Sequence, residues 1–210
     1  MRSGCFICLD GVDGAGKSTQ SRLLAEWLRQ QGYTVTTCRD PGDTPLGERI
    51  RSLLLDSELN MSEITECFLY MASRSALVDQ VIRPALQRNE IVLSDRFLLS
   101  TVAYQGYAGG IPPETIWQLG RLCTGNTLPD WTFVFDLPLA VSMRRKHGQT
   151  LDRMESKGSL FFEQVRLGFL TETKQHPECM ILIDADRSVD EVQAQLRQEV
   201  AGVLGQRTRP

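Results

Sequence analysis

Residues Gly11-Val12-Asp13-Gly14-Ala15-Gly16-Lys17-Ser18 fit the spacing G-x-x-x-x-G-K-[ST], and they follow the apolar run Cys5-Phe6-Ile7-Cys8-Leu9. A buried strand, a glycine-rich loop and a helix start in that order make a phosphate cradle. Backbone N–H groups and the positive end of the helix dipole face the anion. Glycine lets the chain approach closely because no Cβ intervenes. The set expected to hold a nucleoside triphosphate is Gly11, Asp13, Gly14, Ala15, Gly16, Lys17, Ser18 and Thr19. Lys17 has the reach for the outer phosphates and the Ser18 hydroxyl can ligate Mg²⁺. The chain has four lysines against nineteen arginines, so Lys17 is no draw from a lysine-rich surface.

Three further segments carry charge where short apolar runs end: Arg39-Asp40-Pro41-Gly42-Asp43-Thr44, Ser94-Asp95-Arg96 and Asp136-Leu137-Pro138. In a parallel sheet, ligands bind beyond the carboxyl ends of the strands. An aspartate ending the third strand suits an outer partner for the metal, so Ser18 and Asp95 are the candidate metal pair. For Asp136 a helix-capping role and a site role stand equal.

These segments need a scaffold of alternating strands and helices. Strands are expected around Cys5–Leu9, Val35, Ile91–Leu93, Trp131–Phe135 and Met180–Ile183. Between them lie helices from about Lys17 (Leu23, Leu24, Trp27 and Leu28 on one face, Gly32 as the stop), from Pro45, after the cap Ser62, from Pro112-Pro113 to near Gly125, and from Val189 to Leu204. The pattern implies an α/β fold, a five-stranded parallel sheet covered by helices on both faces. At 210 residues the chain is expected to be one domain, 1–210. A net charge of −3 argues against a nucleic-acid polymer as partner. No stretch is long and apolar enough for a membrane span, and no signal peptide fits before the first strand. Cys5 and Cys8 point to opposite faces of a strand and cannot share a metal. Scattered cysteines with no framework suggest a reducing cytoplasm.

Taken together, the residues resemble bacterial thymidylate kinases along nearly the whole chain. The resemblance rests on Asp10 to Gln20, Asp40-Pro41-Gly42-x-Thr44-Pro45-Leu46-Gly47-Glu48-x-Ile50-Arg51, Ala72-Ser73-Arg74, Asp95-Arg96-Phe97 with Ser100, Ala103-Tyr104-Gln105-Gly106, Asp152-Arg153-x-Glu155 and Val165-Arg166-x-Gly168-Phe169-Leu170. It implies transfer of the γ-phosphoryl group of ATP to dTMP, with Mg²⁺, in a homodimer of the P-loop nucleoside monophosphate kinase type. A monophosphate acceptor is largely ionised at neutral pH and needs no strong base, only cations that bring two anions together. By resemblance Arg96 grips the acceptor phosphate, with Arg39 and Gln105 nearby and Arg51 facing the same pocket. Arg74 meets a thymine carbonyl, Tyr70 stacks on the base, Ser100 or Thr101 meets its edge, and Tyr104 lies against the sugar. Asp13 holds the 3′-hydroxyl or a metal-bound water.

Residues 144–157 form a basic island of five cationic against two acidic side chains, as a phosphate-covering lid requires. In one branch of the family the catalytic arginine sits in the P-loop, where this chain has Gly14. The chain resembles the other branch, in which the lid supplies it. Arg145 and Arg153 are the candidates, and spacing does not choose between them. Three positions depart from the usual family pattern: Asp40 for Glu, Asp43 for Gly and Phe97 for Tyr. Asp43 places a negative charge beside a phosphate site. The rival readings are a kinase acting on a nucleoside hydroxyl, a GTP switch, and an inert P-loop module. The switch lacks its guanine-reading Asn-Lys-x-Asp string. The inert module sits badly with intact Lys17, Ser18, Asp95 and Arg96.

Overall fold

The computed structural model describes residues 4–146, 153 and 157–207. Strand β1 (Cys5–Gly11) is buried at every position, as a continuous apolar run predicts for a central parallel strand. With β2 (Val35–Arg39), β3 (Ile91–Asp95), β4 (Trp131–Asp136) and β5 (Met180–Asp184) it forms a parallel sheet in the order β2-β3-β1-β4-β5. The chain passes from β3 to β4 across β1, so the strand order reverses at β1, where open α/β sheets place their ligands. The register aligns Leu9 and Arg39 with Asp95 from either side. Cross-links between the loops continue this alignment. Arg96 N–H donates to Leu9 O (2.9 Å) and Asp40 N–H to Asp95 O (3.1 Å).

Helix α1 (Lys17–Gln30) buries Leu24, Ala25 and Leu28, with Leu23 and Trp27 half-buried, and gives way to left-handed Gly32. Helix α2 (Pro45–Leu55) starts on proline, and its cap Thr44 accepts the Gly47 N–H at 2.8 Å. Helix α3 (Glu63–Leu77) is capped by Ser62 as expected. It continues through a π-turn, Val78–Ile82, into α4 (Arg83–Gln87). A second π-turn, Val102–Ala108, extends α5 (Leu98–Thr101). Such turns insert one extra residue and re-aim the side chains around them. Helix α6 (Pro113–Thr124) closes on left-handed Gly125, and α7 (Leu139–Lys146), α8 (Ser159–Gln175) and α9 (Val189–Arg207) complete the described chain. Phe97, where tyrosine is commoner, is buried edge-on against Phe6 at 5.0 Å. An apolar ring there leaves no hydroxyl to satisfy. No helix among the described residues is long and apolar enough to cross a membrane.

Gly11 marks where β1 must turn out of the sheet. Its φ is +132°, and a Cβ at this position would lie 2.3 Å from the Phe135 carbonyl oxygen of β4. The neighbour is backbone in a paired strand and cannot move aside. Gly11→Ala is expected to destabilise the fold by about 3 kcal/mol through backbone strain and overpacking. Scanning calorimetry should show a Tm several degrees below wild type, and an unchanged Tm would refute the constraint.

Candidate active site

The P-loop occupies the carboxyl end of β1. Gly14 and Gly16 take left-handed φ values of 71° and 85°, and Gly16 leads directly into α1. Lys17 folds back over the loop, donating from Nζ to Gly11 O (3.1 Å) and Val12 O (2.7 Å). Burial, reinforced by the nearby Arg96 guanidinium, lowers its pKa to about 8, against the pull of Asp13, Asp95 and Asp10. The Ser18 hydroxyl donates to Asp95 Oδ2 at 2.6 Å across the β1–β3 junction. These two hard oxygen donors suit a small divalent cation that keeps water and substrate phosphates as its other ligands. Among the described residues, no group of three or more His, Cys, Asp or Glu is placed to hold a metal by itself.

Arg96 is the centre of the site. It adopts φ +68°, a conformation rare for a side-chain-bearing residue, immediately after β3. That turn sends its guanidinium back over the P-loop. Nη1 donates to Gly11 O (2.9 Å) and Ser100 Oγ (2.8 Å), Nη2 to Asp13 Oδ1 (2.5 Å), and the group lies 5.4 Å from the Tyr104 ring centroid. Burial would lower its pKa, but Tyr104, Asp13, Asp10 and Asp95 more than offset this and hold it above the ordinary value. Tyr104 donates its hydroxyl to Asp13 Oδ2 (2.9 Å). Asp10, fully buried, ties the arrangement together. Its carboxylate accepts from Gly11 N–H (2.9 Å), Ser100 N–H (3.0 Å) and Ser100 Oγ (2.6 Å). Burial raises the pKa of Asp10, with Arg96 and Ser100 opposing.

Two spaces meet at this centre. One, of about 420 Å³, is an open cleft along the P-loop, lined by Gly14, Gly16, Lys17, Ser18, Thr19, Arg39, Asp95 and Arg145. The other, of about 110 Å³, lies between α3 and the α5 segment and is lined by Tyr70, Arg74, Ser100, Thr101, Tyr104 and Gln105. Asp13, Asp40, Arg51 and Arg96 border both. Arg51 is braced by donation to Pro41 O (3.1 Å). Arg74 is buried in the wall of the second space, bonded to Asp40 Oδ2 (2.5 Å), Thr101 Oγ1 (2.8 Å) and Phe97 O (3.3 Å). Arg39 faces the cleft with its guanidinium on Glu48 (2.9 Å). The negative charge of Asp43 is engaged locally. At φ +55° it turns its carboxylate onto the Arg39 N–H (2.7 Å) and so braces the loop.

The two lid arginines stand apart. Ser142 of α7 donates to the Asp13 carbonyl at 2.6 Å, pinning α7 to the P-loop. Arg145, one turn on, faces the cleft and approaches Gly14 O at 3.5 Å. Arg153 donates to Leu54 O (3.0 Å) and pairs with the buried carboxylate of Glu66. The rest of the anticipated lid, 147–152 and 154–156, including His147, Asp152 and Glu155, lies outside the described residues. Asp136, for which the sequence leaves capping and site roles equal, forms a two-point ion pair with Arg166 of α8 (2.7 and 2.9 Å) that braces α8 against the end of β4. Asp10, Glu66 and Ser142 join the site beyond the residues the sequence predicts: Asp10 is marked only by its place ahead of the P-loop, and Glu66 and Ser142 carry no spacing signal.

Residues 9–196 match the family model described as thymidylate kinase. A thymidylate kinase from Rhodopirellula baltica is 46% identical over 189 residues, 90% of this chain and 77% of that protein. One from Symbiobacterium thermophilum is 42% identical over 97% of this chain and 96% of its own length. The chain belongs to the thymidylate kinase family. The reaction of that family is phosphoryl transfer from ATP to dTMP. A crystal structure of thymidylate kinase from Ehrlichia chaffeensis superposes with a TM-score of 0.77 at 31% identity, covering 94% of this chain and 99% of that one. The chain therefore shares the thymidylate kinase fold.

The lowered pKa of Lys17 has a sign that can be checked. A Lys17 that meets the phosphates of ATP must be protonated, and its charge is present below about pH 8 and lost above it. Above this pH, kcat/KM for ATP should fall toward about tenfold per pH unit. Lys17→Arg, whose charge does not titrate, should flatten that limb. A wild-type profile level well above pH 8 would contradict the assignment.

Proposed function

We infer that the P-loop cleft holds ATP and the smaller space holds dTMP, placed end to end so that the γ-phosphoryl group crosses where the two spaces meet. The observation carrying this reading is the shared border: Arg96 and Arg51 face both spaces, and Lys17 faces the cleft beside them. The backbone of Gly11 to Thr19 wraps the donor phosphates, and Lys17 shifts from its carbonyl partners to the outer phosphates. Arg96, with Arg51 and Arg39 behind it, takes the acceptor phosphate. Asp13 orients Arg96 and Tyr104 and faces the sugar. Tyr70 stacks on the base while Arg74, Ser100, Thr101 and Gln105 surround its edge. Ser18 and Asp95 would hold Mg²⁺, which when bound supplies charge neutralisation between donor phosphates. Catalysis is positioning and cation placement, with no general base.

Of the lid residues, Arg145 is the one assigned to the transferring phosphoryl group, because α7 anchors it over Gly14. Arg153 is assigned to the acceptor side. The kinase domain spans 1–210, with a lid at about 144–157. The exposed Ile64 and Phe68 of α3 and Leu122 of α6 suit a helix-paired homodimer. The six cysteines are all free, as a reducing cytoplasm would keep them.

A panel of dTMP, dUMP, thymidine and AMP, each with ATP and Mg²⁺, tests the reaction. ADP formation should depend on dTMP and outrun that with thymidine and AMP. ATP turnover indifferent to dTMP would overturn it. Arg145→Ala should lower kcat about a hundredfold or more with little change in the KM for dTMP. Arg153→Ala should cost less in kcat than Arg145→Ala, and the reverse order would move the role to Arg153.

A further inference from the structure

Glu66 is fully buried in the first turns of α3, away from the phosphates, and the chemistry above gives it no task. Its carboxylate nevertheless gathers groups from three parts of the chain. Gln105, from the π-turn after α5, donates its side-chain Nε2 to Glu66 Oε1 at 2.5 Å. Arg153 pairs with Oε2, and Lys157 Nζ lies 3.6 Å from Oε1 while also meeting Glu63 at 2.7 Å. A lone buried carboxylate is costly, so two cations and an amide around it mark a group that is held rather than tolerated.

The consequence falls on Gln105. It lines the smaller space, and an amide has two ends of opposite character. A carboxylate can only accept, so it fixes the NH₂ end toward itself and leaves the carbonyl oxygen as the end a ligand can meet. That oxygen accepts from an N–H and repels a ring nitrogen lone pair. Thymine and uracil present N–H at ring position 3, whereas cytosine presents a lone pair there.

We propose that Glu66 is a positioning residue for base selection: it locks the amide of Gln105 with the carbonyl toward the acceptor base, and Arg153 and Lys157 fix the Glu66 carboxylate in place from its other side. The proposal rests on the smaller space being the dTMP pocket. It places discrimination between pyrimidines in a residue that touches no substrate.

The test compares dTMP with dCMP as acceptors in wild type, Glu66→Gln, Gln105→Met and the double variant, with calorimetry as a folding control. Glu66→Gln can donate or accept, so it frees the Gln105 amide to turn. The ratio of kcat/KM for dTMP over dCMP should fall about tenfold, the cost of misorienting one buried hydrogen bond. The change should appear mainly in the KM for dTMP, with the KM for ATP unmoved. Gln105→Met should lose the same selectivity, and adding Glu66→Gln to it should cost no more. Unchanged selectivity in Glu66→Gln, or additive losses in the double variant, would overturn the proposal. Should Glu66→Gln fail to fold, Glu66→Asp, which draws the carboxylate back from Gln105 by one methylene, takes its place: retained selectivity refutes the proposal and lost selectivity, with none further lost on adding Gln105→Met, supports it. A wild-type enzyme inactive on dTMP would instead sink the reading of the pocket, which separates the two failures.

Discussion

Two phosphate groups must be brought close enough to exchange a phosphoryl group, and every unit charge pair between them at 4 Å costs about 1 kcal/mol even in bulk water and about 4 kcal/mol near a protein surface. Cations must therefore be waiting, and cations waiting together repel one another. The structure meets the second problem with carboxylates. Asp13 and Asp10 stand against Arg96, and Asp95 stands beside Lys17 and Ser18. The guanidinium is held at a fixed angle in a strained backbone turn before any substrate arrives. Much of the remaining architecture follows from keeping that turn in place: the register of Leu9 with Asp95, the buried Asp10, and the packing of Phe97 on Phe6.

The same device recurs around the site. Asp40 neutralises Arg74 in the wall of the smaller space, Glu48 and Asp43 brace Arg39, and Glu66 holds Arg153. Each arginine is oriented by an acid on a different element from its own or by a sharp loop. Orientation fixed in advance means that little reorganisation is left for the moment of reaction, which is where electrostatic catalysis gains most.

Features governed by local rules could be read from the sequence. The run Cys5–Leu9 followed by glycines gave the central strand and its loop. Pro45, Ser62 and Gly125 mark helix ends to within a residue. Features governed by a single inserted residue or by distant pairing could not. The π-turns at Val78–Ile82 and Val102–Ala108 leave the apolar spacing of a helix nearly intact, so periodicity does not reveal them. Glu66 reads as an ordinary acid near a helix start, where negative charge is favoured anyway. Its partners lie 39 and 87 positions away, at Gln105 and Arg153. Arg145 and Arg153 are equivalent in spacing; in three dimensions Arg145 lies in the cleft beside the Ser142 anchor, whereas Arg153 is paired with Glu66. The resemblance proposes the residues around the acceptor. What holds those residues in place became visible only in three dimensions.

The central claim is spatial, that donor and acceptor phosphates face each other across Lys17 and Arg96. A crystal structure with dTMP, a non-hydrolysable ATP analogue and Mg²⁺ measures this directly. The dTMP phosphate should lie on the Arg96 guanidinium with its thymine among Tyr70, Arg74 and Gln105, and the analogue's terminal phosphate should lie on Lys17 in line with it. A dTMP molecule seated with its phosphate away from Arg96, or with its base along the P-loop, would contradict the claim.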